Sequence, residues 1–338
     1  MNVTVKDVAR AAGVSTATVS RALRNFESVD PVTRSHVWEV ANQLGYVGSS
    51  AAQALSTGKA GSVGIITPYV DRWSFGRLLS GIEREMRAAS IDLLVYCTGN
   101  PRDTTPLHRR LGRRVDGFLI LSSAATSPDL EELLKLRMPV TMIGNSAPWT
   151  SSVRIDDRGA AVSATGHLIG QGHKRIGLIH GGEKANPLVL EHRRYLGYSA
   201  AMEGAALPVD ESIQASGEFT VTGGERAMTQ LLETANPPTA VFALSDEMAF
   251  GAIRSLKGRG LQPGVDVAIN GFDGHDMSEL MDLTTVYQPL ELMGATAAQN
   301  LLADLRDPSR ERATIVLPTQ LVPRGSTGAG PATMPPAG

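Results

Sequence analysis

From Gly61 to about Thr319, short apolar runs alternate with stretches of helical spacing, and this alternation constrains the fold more than any other feature. The runs Val63–Thr67, Leu93–Cys97, Gly117–Leu121 and Pro139–Ile143 are interleaved with helical patterns over Leu78–Ala89 and Leu130–Leu136. A second series follows Gly159. It places helices at Ala160–Gln171, Glu191–Gly204, Thr222–Glu233 and Asp246–Gly258, with strands at Arg175–His180, Ala240–Ala243 and Val267–Gly271. Strand, helix, strand repeated twice calls for parallel sheets with helices on both faces. Two α/β lobes of about 100–130 residues each fit the length.

The first sixty residues follow a different regime. Thr4 and Asp7 have capping-box spacing, Val5, Val8, Ala9 and Ala12 share one helical face, and Gly13 suits the left-handed end of a helix. Ser15 then caps a second helix with Val19, Ala22 and Leu23 on its apolar stripe, only a few residues after the first. A third helix opens at Asp30-Pro31, buries Val37, Val40, Ala41 and Leu44, and stops at Gly45. This is helix-turn-helix spacing, which reads as a DNA-binding unit with its second helix in the major groove, or as any three-helix subdomain. Residues 47–60 are small, polar and Gly-bounded, and mark a linker.

Net charge alone argues against a nucleic-acid binder, at −2 over 32 basic and 34 acidic side chains. The balance is uneven, however. Residues 1–59 carry six basic and four acidic groups, so the head is positive and the remainder negative. Cys97 is the one cysteine, which excludes an intrachain disulfide and favours a reducing compartment. No apolar stretch approaches a membrane span, and the start MNVTVKDVAR lacks the apolar core of a signal peptide, so a cytoplasmic protein without membrane association is expected.

The head carries a longer, position-specific pattern. Val5-Lys6-Asp7-Val8-Ala9, Ala12 through Leu23, Thr33-Arg34, Leu44-Gly45-Tyr46 and Ala51 through Leu55 resemble the LacI/GalR family of bacterial transcription regulators. The resemblance continues through Leu78–Glu83, Arg114–Gly117, Lys174–Ile179, Ser245–Ala249 and Gly271-Phe272-Asp273 to about Thr327. It implies an all-α helix-turn-helix head (1–47), a hinge helix or linker (48–60) and a periplasmic-binding-protein-like α/β core (61–325). Lobe 1 of that core would span about 61–157 and 289–314, and lobe 2 about 158–288 and 315–325, followed by a disordered tail (326–338). Function is then expected to be repression from a palindromic double-stranded operator, as a homodimer with a tetramer left open, under control of a small-molecule effector.

Site residues follow from the same match. Thr16, Ala17, Ser20 and Arg21 fall on the exposed half of the second helix, where Arg21 can fork onto guanine and Ala17 can meet a thymine methyl. Thr4, Ser15, Thr18, Thr33 and Tyr46 suit caps or phosphate contacts, and Arg24 stands where the family usually has Asn. The hinge resemblance assigns Leu55 as a wedge between base steps and Ala52 as a close-approach residue. The family's Pro-Asn-Arg after Tyr46 is replaced here by Gly48-Ser49-Ser50, which removes a phosphate contact. With few cations to grip phosphates, the expected salt dependence is shallow and specificity rests on base contacts and Leu55.

For the effector, the match nominates Tyr69, Asp71, Trp73 and Phe75 on the loop after the first core strand. It adds Arg194, Phe219, Ser245 and Asp273 from lobe 2 and Gln288 at the crossover. Gly144-Asn145 replaces the family's common Asp-Arg, so a polar contact from lobe 1 is either missing or supplied by Asn145 or Trp149. Arg194 and Asp273 also suit a cleft-wall ion pair, and Phe75 and Phe219 suit core. A sugar or related polyol is favoured, and a purine or nucleoside corepressor, a partner protein or a sugar-transport role are the alternatives. Gly181-Gly182-Glu183-Lys184 lacks phosphate-loop spacing, no Ser sits in a nucleophile elbow, and His167 and His173 flank a helix end, so no catalysis, cofactor or metal is expected. Leu321–Ser326 also spells a protease-cleavage tag, and matches the family's closing strand and turn.

Overall fold

The run Ser62–Thr67 (β1) is buried at every position, as a strand covered on both faces of a parallel sheet must be. The computed structural model describes residues 3–23, 26, 28–46, 59–98, 111, 114–121, 135–147, 149–182 and 190–328. It divides into an N-terminal unit, Met1–Gly61, and a core, Ser62–Gly338.

In the head, α1 (Val5–Ala12), α2 (Thr16–Leu23) and α3 (Pro31–Gln43) surround Val8, Val19, Ala22, Val37 and Ala41. Each helix starts where a side chain satisfies orphan backbone donors. The Asp7 carboxylate accepts the Thr4 N–H at 3.0 Å and the Thr4 hydroxyl at 2.6 Å. Ser15 accepts the Thr18 N–H at 3.0 Å, and Asp30 accepts the Thr33 N–H at 3.0 Å with Pro31 at the first helical position. Gly13 closes α1 at φ +68°, which lets α2 follow after a tight turn.

The core holds two sheets. Lobe 1 contains β1, β2 (Asp92–Cys97), β3 (Phe118–Leu121), β4 (Val140–Ile143), β5 (Ser151–Ile155) and β11 (Thr314–Leu317), in the order β11-β5-β4-β3-β1-β2 and all parallel. Lobe 2 contains β6 (Ile176–His180), β7 (Gln214–Ser216), β8 (Ala240–Ala243), β9 (Ala268–Asp273), β10 (Thr284–Tyr287) and β12 (Gln320–Val322). Their order is β12-β10-β9-β8-β6-β7, with only β12 antiparallel. The covering helices are α4 (Trp73–Ala88), α5 (Asp157–Gly170), α6 (Leu190–Gly204), α7 (Val221–Leu232), α8 (Asp246–Gly258), the short α9 (Met277–Leu280) and α10 (Leu290–Arg306).

The chain crosses between lobes after Ile155, after Tyr287 and after Leu317. The first two lie within two residues of the expected 157/158 and 288/289 boundaries. The third comes later than the expected 314/315 boundary, because Thr314–Leu317 pairs in register with Ser152–Ile155 of lobe 1. Trp73 and Phe75, expected on a loop, begin α4 instead, with Arg72 extended at the N-cap position. The expected tail also starts too early. Ser326 and Thr327 are buried: the Ser326 hydroxyl donates to the Ile269 carbonyl at 2.6 Å and accepts the Thr284 N–H at 2.8 Å, while Thr327 meets His167 Nε2 at 3.0 Å. Among the described residues, no helix is long and apolar enough to cross a membrane.

Candidate functional site

The core of the head consumes Val19 and Ala22 from α2, which turns Thr16, Ala17 and Arg21 outward and leaves Ser20 half-buried. Thr16, Ala17 and Arg21 therefore form the exposed edge of a helix held rigidly by its neighbours. Thr4, Ser15, Thr18 and Thr33 spend their hydroxyls on capping contacts: Ser15 Oγ lies 2.8 Å from Thr18 Oγ1, and Thr33 donates to Asp30 at 3.2 Å. Tyr46 packs against the head core. Arg24, Ala52 and Leu55 lie outside the described residues, as does the rest of the hinge from 47 to 58.

In the core, the carboxyl end of β1 and the start of α4 face the ends of β6 and β9 across a cleft of about 570 Å³. A crevice at strand C-termini is where open α/β sheets expose backbone and helix N-termini together. Of the residues nominated from the sequence, Tyr69, Phe75, Arg194, Phe219, Asp273 and Gln288 line it. Asp71, Trp73, Asn145 and Ser245 do not. Ser245 caps α8, accepting the Met248 N–H at 3.3 Å. Trp73 stacks on His275 with ring centroids 4.4 Å apart and donates its indole N–H to Asp276 at 3.2 Å. Asn145 Oδ1 accepts from Arg193 at 2.9 Å, and Trp149 is 89% exposed, away from the cleft.

Arg194 anchors the lobe 2 wall. Its Nε donates to buried Asp157 at 2.9 Å, Nη1 donates to the Leu244 carbonyl at 2.8 Å, and the guanidinium lies 3.8 Å over the Phe272 ring. Asp273 sits 3.7 Å from Nη1 and accepts from Gln288 Nε2 at 2.7 Å. The Arg194–Asp273 pairing foreseen in the sequence is thus present in geometry, but the Asp157 carboxyl lies closer to the guanidinium. Asp157 is the first residue of α5, directly after the Asp156 cap, and burial pushes its carboxyl up against the pull of Arg194.

Sequence reasoning missed Arg72, Ser74, Glu191 and Glu218, which also line the cleft. Glu191 accepts the N–H groups of Gly181 and Gly182 at 2.8 and 3.1 Å, so a Gly-Gly pair closing a strand was the available signal. The Gly181 position is tight, because a Cβ there would lie 1.9 Å from the Phe219 ring. Phe219 is held over the cleft by a turn in which both Glu218 and Phe219 have φ +53°.

Burial pushes the Asp273 carboxyl from the ordinary 3.8 up to about 8, with Arg194 opposing and the Asp246 charge reinforcing the rise. The native state then binds a proton that the unfolded chain has released over that interval, so stability falls as pH rises between about 4 and 8. Asp273→Asn is expected to flatten this part of a Tm-against-pH profile; an unaltered slope would remove Asp273 as its source.

Residues 4–49 match the description "Bacterial regulatory proteins, lacI family", and residues 165–327 match "Periplasmic binding protein-like domain". The HTH-type transcriptional repressor CytR of Escherichia coli (strain K12) is 36% identical over 337 residues, covering 97% of each chain. The lac repressor dimer bound to operator and the anti-inducer ONPF superposes with a TM-score of 0.83 at 25% identity, over 97% of this chain and 100% of that one. A LacI family transcriptional regulator from Enterococcus faecium with bound ribose has a TM-score of 0.71 at 31% identity, over 79% of this chain and 98% of its own. A DNA-reading head joined to a two-lobe core, matched over nearly its whole length by such regulators, leaves one assignment: the chain belongs to the lacI family of bacterial regulatory proteins.

Proposed function

We infer that this regulator is a cytoplasmic repressor that binds a palindromic operator as a homodimer and is controlled by a small, neutral, ring-bearing metabolite in the core cleft, a sugar being favoured. The observation that carries the effector reading is the cleft itself. The Arg194–Asp273–Gln288 cluster supplies donors and acceptors for hydroxyl groups, and the Phe75 and Phe219 rings supply apolar faces for a ring. The ribose held by the Enterococcus faecium relative belongs to that protein, and its chemistry suits this cleft.

The mechanism is linkage. An effector that prefers one lobe arrangement shifts the core toward it, and the two linkers of the dimer carry the shift to the heads. Operator and effector then alter each other's affinity by the same factor. The effector is bound and released unchanged.

Footprinting on the DNA flanking the gene, with and without a panel of sugars, polyols and nucleosides, tests the proposal. Protection of a palindrome that responds to one of them supports it, and failure to protect any palindrome overturns it. Arg21→Ala should weaken operator binding by about 10–100-fold, the range of one bidentate base contact, while leaving non-specific binding nearly unchanged. Equal losses on operator and random DNA would make Arg21 a phosphate contact instead.

A further inference from the structure

The two lobes are bridged across the cleft by side chains of the chain itself. Arg72, at the start of α4 in lobe 1, donates through Nη1 to the Phe219 carbonyl and through Nη2 to the Glu218 carbonyl at 3.2 Å, both in lobe 2. The Glu218–Phe219 turn is left-handed at both residues, a conformation that costs free energy for side-chain-bearing residues unless contacts hold it. It aims two successive carbonyls at one guanidinium, whose fork geometry suits a paired grip. The guanidinium also lies 5.0 Å from the centroid of the Tyr69 ring, on the same cleft wall. Arg72 Nε is buried and has no hydrogen-bond partner among the described residues, although Arg72 lines the cavity. A buried donor left unmade is costly and calls for an acceptor.

The geometry points to Arg72 as a cross-cleft positioning residue: it clasps the Glu218–Phe219 turn, holds the lobes together and the Phe219 ring over the cavity before any ligand enters, and offers its Nε–H to an acceptor atom of the ligand. The ligand part rests on the cleft being the effector site; the clasp does not. Lobe 1 otherwise has few groups for a polar ligand, since Asn145 already accepts from Arg193. Effector specificity is then set partly by a residue that belongs to lobe 1 yet fixes the shape of lobe 2. A ligand must fit beneath a turn that is already pinned, and its acceptor must reach Nε.

Trp73 supplies a ligand-free readout, because it is next to Arg72 and its ring lies on His275 of lobe 2. The protein has three tryptophans, so Trp38→Phe with Trp149→Phe leaves Trp73 as the only emitter. In that full-length background, Arg72→Ala is expected to raise acrylamide quenching of Trp73 by about twofold as the lobes part, with an unchanged far-UV spectrum. Arg72→Lys, which can reach one carbonyl at a time, should fall between. Should Arg72→Ala fail to fold, Arg72→Lys and Arg72→Gln carry the comparison. Quenching that stays at the parent value in the folded variants overturns the clasp.

Calorimetric titration with D-ribose, cellobiose and adenosine tests the ligand role. A probe that binds the parent should bind Arg72→Ala about tenfold more weakly, and equal affinity overturns the Nε assignment. A parent that binds none of the probes sinks the neutral-ring effector reading, while the quenching measurement still decides the clasp.

Discussion

Arg194→Ala is expected to destabilise the core by about 3–5 kcal/mol, the range found when one partner of a buried ion pair is removed. Asp157 is fully buried, and its second oxygen has no partner among the described residues. Without Arg194 it would hold an uncompensated charge or take up a proton. Asp273 would lose its nearest cation, and the Leu244 carbonyl its donor. A cycle with Asp157→Leu separates pairing from packing. If the charge left behind causes most of the loss, Arg194→Met with Asp157→Leu should be clearly more stable than Arg194→Met alone, because an apolar replacement of both partners leaves nothing unsatisfied. A single variant that melts within a degree or two of the parent would contradict the account. Effector binding should fail in all of these variants, including the restabilised one.

The second large effect concerns helix crossings. Where α4 meets α10, a Cβ on Gly81 would lie 2.0 Å from the Glu291 carbonyl oxygen, and one on Gly294 would lie 2.1 Å from the Leu78 oxygen. Backbone on both sides leaves nothing flexible to yield. Helix propensity favours Ala over Gly by about 1 kcal/mol, so propensity and packing predict opposite signs here. Packing should win: Gly294→Ala is expected to cost about 2–3 kcal/mol, as overpacked cores do. Gly166 in α5 is the control, since it is exposed with nothing within 4 Å of the Cβ position. Gly166→Ala should raise stability by a few tenths to about 1 kcal/mol. Urea denaturation of both variants would show the opposite signs, and a stable Gly294→Ala protein would mean that α4 and α10 can separate cheaply. Because Phe75 lies on α4, any such separation would also move a wall of the cleft.

The two-lobe plan was legible because continuous apolar runs such as Phe118–Leu121 and Ala240–Ala243 have few other uses. Strand β5 was not. Ser151-Ser152-Val153-Arg154-Ile155 carries two serines and an arginine, and it is a strand because neighbours on both sides pair with it. Strand β7 is three residues long and has no period to read. In the cleft, the family resemblance pointed to Phe219, Arg194 and Asp273. What a positional match cannot convey is how a side chain is already engaged. Asn145 is held by Arg193, Ser245 by its own helix, and Trp73 by His275. Arg72 escaped notice because its partners lie 146 and 147 residues further on, a pairing that no local pattern encodes. Among the head residues, the caps at Ser15 and Asp30 were legible because capping is local chemistry.

The closing turn of lobe 2 bears on where a protease can cut the polypeptide. Leu321-Val322-Pro323-Arg324-Gly325-Ser326 spells a hexapeptide used as a cleavable tag. Here Leu321 and Val322 are paired in a strand, Arg324 is tied to Leu283 and Thr284, and Ser326 is buried under Ile269. A protease needs several residues of free, extended backbone to seat a substrate, and this segment can offer them only after lobe 2 has come apart. The same six letters are thus a scissile site in the unfolded chain and a locked clasp in the native one, and a tag processed at this sequence can be trimmed without nicking the folded regulator.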